Sequence, residues 1–139
     1  MRILAVDYGA ARTGIAVSDE SATIVGEAWV IEDSKMDAVA RTIVSEAESR
    51  NVDAIVVGYP KNMNGTIGES AIKSEKLANL IRAQASIDIV LWDERMTSIS
   101  AHRILSDVGK HGKKRKKAVD AVAASLILEN YLGYLSGRK

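Results

Sequence analysis

Cysteine is absent from this sequence, which excludes disulfides and thiolate metal sites. Histidine is scarce. Only His102 and His111 occur, which argues against a histidine-rich zinc centre. Any bound metal is therefore expected to be an oxygen-seeking ion held by carboxylates. No apolar run approaches the ~20 residues of a membrane span, so no membrane partner is expected. Met1-Arg2 leads straight into a strand-like segment, without the regions that make up a signal peptide. The expected location is cytoplasmic. Apolar residues make up 47% of the 139, an ordinary share for a globular chain and one that argues against global disorder. The length suits a single domain over residues 1–139 with a sizeable core.

Net charge is only +1, but its distribution is uneven. Lys110, Lys113, Lys114, Arg115, Lys116 and Lys117 place six positive charges within residues 110–117, leaving −5 on the rest. Such a concentration is a candidate contact for a polyanion. Read as a loop, it is expected to be mobile in the free protein, because like charges repel.

Ile3-Leu4-Ala5-Val6 is continuously apolar and reads as a strand buried on both faces. Residues 14–18 and about 23–31 read as two more strands, joined by short turns into an antiparallel meander. Met36, Val39, Ala40, Ile43, Val44 and Ala47 then mark one face of a helix, with Ser34 as its expected N-cap. Residues 53–58 form an apolar strand, and a turn-rich loop containing Pro60 and Gly65 follows. A helix to about Gln84, a strand over 87–92 and a helix ending near Gly109 come next. A last helix over about 117–135 is apolar almost all round through Leu128 and is expected to be largely buried. The order indicates an α/β fold: a five-stranded mixed sheet, three antiparallel strands then two parallel ones, flanked by helices.

Asp7 closes the first strand, and a carboxylate there is costly to desolvate unless its charge is compensated. Asp93 and Glu94 follow the fifth strand, so the topology sends them to the same crevice. Asp120 interrupts the alanine-rich start of the last helix. Clustered carboxylates repel unless a cation sits among them. Mg2+ or Mn2+ suits all-oxygen ligands, and a pair of such ions can drive phosphodiester hydrolysis. Each residue also has a structural alternative. Asp7 could cap its own turn, Glu94 could pair with Arg95 or Arg103, and Asp120 could pair with Lys116 or Lys117.

Four blocks carry a family resemblance. Asp7-Tyr8-Gly9 with Arg12 and residues 14–19 form the first, and residues 56–65 the second. Asp93-Glu94-Arg95-Met96-Thr97 is the third, and residues 117–124 the fourth. Together they resemble the YqgF/RuvX family, in the family's order and over the whole chain. Asn64 and Met96 depart from its commoner aspartate and leucine, and neither is a proposed ligand. The resemblance implies an RNase H-like fold and a metal-dependent nuclease whose acidic residues are Asp7, Glu94 and Asp120. It implies processing of the 5′ end of pre-16S rRNA. The alternatives are a Holliday junction resolvase acting on four-way DNA junctions, and a nucleic-acid-binding protein with weak or no catalysis.

Arg12 and Arg95 are bidentate donors suited to phosphate, unless they pair with Asp19 or Glu94. Lys61 and Asn62 lie on the loop beside the crevice. With Lys113, Lys114, Arg115 and Lys116 they complete the expected nucleic-acid contacts. Tyr8 and Tyr59 could stack on bases or simply pack. The turn from Asp7 to Gly14 also resembles that of actin-like and sugar-kinase ATPases, whose second domain 139 residues would not accommodate. A monomer or a homodimer is expected, a dimer suiting a two-fold substrate.

Overall fold

The computed structural model describes residues 1–60, 65, 67–93 and 112–137, with backbone alone over 112–120. Its strands are β1 (Ile3–Asp7), β2 (Thr13–Ser18), β3 (Val25–Ile31), β4 (Ala54–Tyr59) and β5 (Asp88–Asp93). Its helices are α1 (Met36–Ser49), α2 (Glu69–Gln84) and α3 (Gly112–Gly137). The five strands form one sheet in the order β3-β2-β1-β4-β5. β1, β2 and β3 pair antiparallel, while β4 joins β1, and β5 joins β4, in parallel. This is the mixed sheet expected from the sequence.

β1 lies at the centre because both of its faces are apolar. Ile3, Leu4, Ala5 and Val6 are all fully buried. The period of two in a strand sorts them between two layers. Leu4 and Val6 join α1 and α2 in one core, through Val39, Ile43, Leu77 and Ile81. Ile3 and Ala5 join α3 in the other, through Ala124, Ile127 and Leu128. Each large side chain so buried contributes about 1.5–3 kcal/mol. The β1–β4 register is held by a reciprocal pair at its start. Arg2 N–H donates to Asp53 Oδ2 at 2.8 Å, and Asp53 N–H to the Arg2 carbonyl at 2.8 Å.

Two sequence expectations change. Ser34 does not cap α1: the N-cap is Lys35, without a side-chain cap bond. Asp33 Oδ1 instead accepts from Lys35 N–H at 2.9 Å, an Asx-turn that leads the chain into the helix. Secondly, α3 begins at Gly112, so residues 112–117 of the basic run are helical rather than a loop. Lysine and arginine are good helix formers, and here that propensity outweighs their mutual repulsion. As expected, α3 keeps every residue from 121 to 128 buried or half-buried, and it turns an exposed side to solvent only beyond Leu128. Ala123, Ala124, Ile127, Leu128, Tyr131 and Leu132 form one buried stripe, while Glu129, Asn130, Gly133 and Tyr134 are exposed. A helix laid on a single sheet face buries only the stripe that meets it. The helix expected near residue 104 lies outside the described residues.

The direction of α3 matters for the site. Leu132, Leu135 and Ser136 line a groove with Met1 and the β2–β3 turn, at the end of the sheet where β1 starts. α3 packs along β1, β2, β3 and β4. Its earlier turns therefore run towards the end where β1 and β4 finish.

Candidate active site

Asp7 is half-buried at the last position of β1. Alternation puts it on the α3 side of the sheet, with Ile3 and Ala5. Its neighbours in the sheet are glycines. Gly14 pairs with it from β2. Val6 pairs with Val57, so the next step sets Gly58 beside Asp7 on β4. Gly58 in turn pairs with Trp92 of β5, and Gly14 with Val30 of β3. On the α3 face the row reads Val30, Gly14, Asp7, Gly58, Trp92. No side chain of the sheet stands immediately beside the Asp7 carboxylate on either hand. That is the local arrangement a close-approaching ion or phosphate needs.

The turn after Asp7 is tight. A Cβ on Gly9 would run into the Arg12 carbonyl oxygen, so only glycine fits there. The turn returns the chain into β2 and sets Arg12, half-buried, beside the strand ends. Asp19, considered above as a partner for Arg12, is engaged by its own turn. It accepts from Ser21 Oγ, Thr23 Oγ1 and Thr23 N–H, each at 2.8 Å, and from Ile24 N–H at 3.2 Å. The Thr23 and Ser21 donors, outweighing a small desolvation effect, hold its carboxyl well below the usual range.

Register fixes the face of Asp93. Asp93 pairs with Tyr59, whose hydroxyl donates to Glu75 Oε1 of α2 at 2.7 Å. Asp93 therefore belongs to the α1–α2 face, with Ile89 and Leu91, opposite to Asp7. The same bond explains Tyr59. Its ring is buried and its phenol is pushed upward by Glu75, so it packs rather than offering a stacking surface. Tyr8 likewise packs against the α1–α2 core.

Residue 120 lies on α3 one turn before Ala124, which is fully buried against β1, β2 and β4. Ala5, Ala16 and Ala54 share one buried cluster with Ala124, and such small side chains allow helix and sheet to approach closely. Glu94, Arg95, Lys61 and Asn62 lie outside the described residues, as do the side chains of Lys113, Lys114, Arg115, Lys116 and Asp120. Among the described residues no group of three His, Cys, Asp or Glu could hold a metal ion.

The RuvX family, described as Holliday junction resolvase, matches residues 1–134. The chain belongs to the RuvX family. A relative from Geobacillus kaustophilus is 42% identical over 134 residues, covering 95% of this chain and 97% of its own. One from Shouchella clausii is 41% identical over 138 residues, covering 95% and 94%. Both carry the name "Putative pre-16S rRNA nuclease". Among solved structures, Thermus thermophilus RuvC in complex with Holliday junction substrate superposes with a TM-score of 0.61 at 12% identity, covering 99% of this chain and 96% of that one. The fowlpox virus resolvase with its junction DNA gives 0.61 at 13%, covering 97% and 99%. The fold is thus the RNase H-like fold of these resolvases, and the RuvX chain is a member of a nuclease family.

The glycines beside Asp7 were not singled out from the sequence as site residues. A signal existed: Gly14 and Gly58 both interrupt apolar strands, where glycine often marks close approach of a ligand or backbone.

Proposed function

We propose that this RuvX-family protein is a Mg2+- or Mn2+-dependent nuclease, residues 1–139 acting as one domain. Its proposed substrate is structured RNA, at the 5′ end of pre-16S rRNA. The observation that carries the reading is the setting of Asp7: a half-buried carboxylate ending the central strand, flanked by Gly14 and Gly58. It faces the layer that holds α3. The close helix–sheet contact through Ala5, Ala16 and Ala124 supports a position for Asp120 near Asp7. Asp93 belongs to the opposite face, which supports Glu94 of the two as the third ligand.

The donor set fits the ion. Asp7, Glu94 and Asp120 offer only oxygen, and magnesium and manganese take oxygen ligands. Bound there, a metal pair would activate water and stabilise the leaving oxygen. The chain's own residues do the rest. Asp7 has its backbone fixed by the central strand, which presents its carboxylate at the strand end. Gly14 and Gly58 let the phosphodiester backbone approach. Arg12, Arg95, Lys61, Asn62 and the helical Lys113, Lys114, Arg115 and Lys116 hold flanking phosphates. A role in rRNA processing supports a cytoplasmic location; no described helix is long and apolar enough to cross a membrane.

The family's description favours a second reading, resolution of four-way DNA junctions. One assay separates them. The protein is incubated with pre-16S rRNA fragments and with four-way junctions, in Mg2+, Mn2+ or EDTA. Metal-dependent cleavage of the RNA is the expected result. Symmetric cutting of junctions would replace it with the resolvase reading and a homodimer. Binding without cleavage of either would leave a nucleic-acid-binding protein.

A further inference from the structure

The chain has six aromatic residues, two tryptophans and four tyrosines, and no phenylalanine. Three of the six have evident structural work. Trp29 lies under the Arg50 guanidinium, 4.5 Å from its ring centre. Tyr8 packs on the core and Tyr59 is buried and bonded to Glu75. The other three converge on one place. Trp92 meets Tyr131 edge-on at 5.2 Å and Tyr134 at 5.2 Å, and the two tyrosines are 6.0 Å apart. Tyr131 is the buried base of this group at 8% exposure, whereas Tyr134 is 46% exposed and Trp92 half-buried.

Its place in the fold is specific. Trp92 stands on the same sheet face as Asp7, in the same row, with only Gly58 between them. Two strand spacings of ~4.8 Å separate their backbones by about 10 Å. Gly58 puts no side chain in the way. A strand whose phosphate reaches Asp7 can therefore lay a neighbouring base towards Trp92. α3, which supplies Tyr131 and Tyr134, packs on this same face of the sheet.

We propose that Trp92 and Tyr134, supported from beneath by Tyr131, form a stacking platform for an unpaired base next to the scissile phosphate. The occupant is a single-stranded nucleotide of the substrate, recognised by its π-face and therefore with little base preference. The inference rests on the nuclease reading of Asp7 and extends it. The site selects substrate with an unpaired base beside the cut.

The test measures binding in EDTA, where cleavage does not interfere. Trp29→Phe leaves Trp92 as the sole tryptophan. Its fluorescence is followed as an unstructured oligoribonucleotide is added, then as the same oligomer with abasic positions is added. Quenching by the first and little by the second is expected. Tyr134→Ser and Trp92→Leu should weaken binding of the base-bearing strand by roughly five- to hundredfold, with much less effect on the abasic strand. Because Trp92→Leu could loosen α3 against β5, Tyr134→Ser at its exposed helix position and the quenching of the folded protein carry the test without it. Equal losses on both strands, or no quenching, would overturn the platform. Quenching with no metal-dependent cleavage would overturn the nuclease reading and leave the platform standing. Cleavage unaffected by either aromatic substitution would do the reverse.

Discussion

Ala124→Leu tests whether the α3–sheet contact sets the site. Ala124 is fully buried, as are Ala5 and Ala16 across the layer, and Ala54 is nearly so. Replacing its methyl by an isobutyl group finds no such space among those alanines. The helix must lift, or its neighbours must leave their rotamers. Overpacking of this kind costs about 1–3 kcal/mol, a fall of roughly 3–12 °C in Tm for a domain of this size. The second effect is on activity. Residue 120 lies one turn before Ala124, so a shift of α3 of about 1 Å moves the position of Asp120 and lowers cleavage by about 10²-fold. Circular dichroism melts give the first quantity, and cleavage rates well below the melting temperature give the second. Glu129→Gln, on the exposed side of the same helix, should change neither. A fully active Ala124→Leu protein with an unshifted melting curve would refute the close-packing argument.

Further expectations follow from the turn, the β2–β3 loop and the basic run. Gly9→Ala forces a Cβ against the Arg12 carbonyl and should destabilise the fold by about 1–3 kcal/mol, read by urea melts, with cleavage falling as well. Asp19 has a depressed carboxyl in the folded state. Its contribution is thus present above the ordinary aspartate value near 3.8 and is lost as the pH falls below it. Asp19→Asn should flatten the acid limb of stability against pH, and an unchanged limb would show that the turn's hydrogen bonds do not matter. Replacing Lys113, Lys114, Arg115 and Lys116 by alanine should reduce the dependence of log K on log salt by about 3–4, at roughly 0.9 per duplex phosphate neutralised or slightly less on a single strand. A slope equal to wild type would place the nucleic acid elsewhere.

Much of the fold was legible because the sheet's centre follows a single rule. β1 and β4 are continuous apolar runs and the elements between them have crossover length, so the parallel pair at the centre could be read directly. Helix ends were less legible. Ser34 has the chemistry of an N-cap, but Asp33 reached the Lys35 amide first, and local competition of that kind is settled by backbone geometry. α3 began earlier than expected because charge repulsion was weighted above the helix propensity of lysine and arginine. For the site, Asp7 was identifiable from its place after an apolar run. The face on which Asp93 lies became clear only from the register of β5 against Tyr59. Trp92 went unnoticed because its partners Tyr131 and Tyr134 lie far away in sequence, and only α3 packing brings the three rings together.

The central claim is that Asp7 anchors a divalent-metal site with Glu94 and Asp120. The most direct measurement is a crystal structure grown or soaked with Mn2+, using anomalous scattering to locate the ion. The account predicts a peak on the α3 side of the sheet, bonded at roughly 2.2 Å to an Asp7 oxygen and in contact with the Glu94 and Asp120 carboxylates. The peak should vanish in Asp7→Asn crystals. An Asp7 carboxylate that makes only protein hydrogen bonds in saturating Mn2+, or an ion bound through Asp93 on the opposite face, would contradict it.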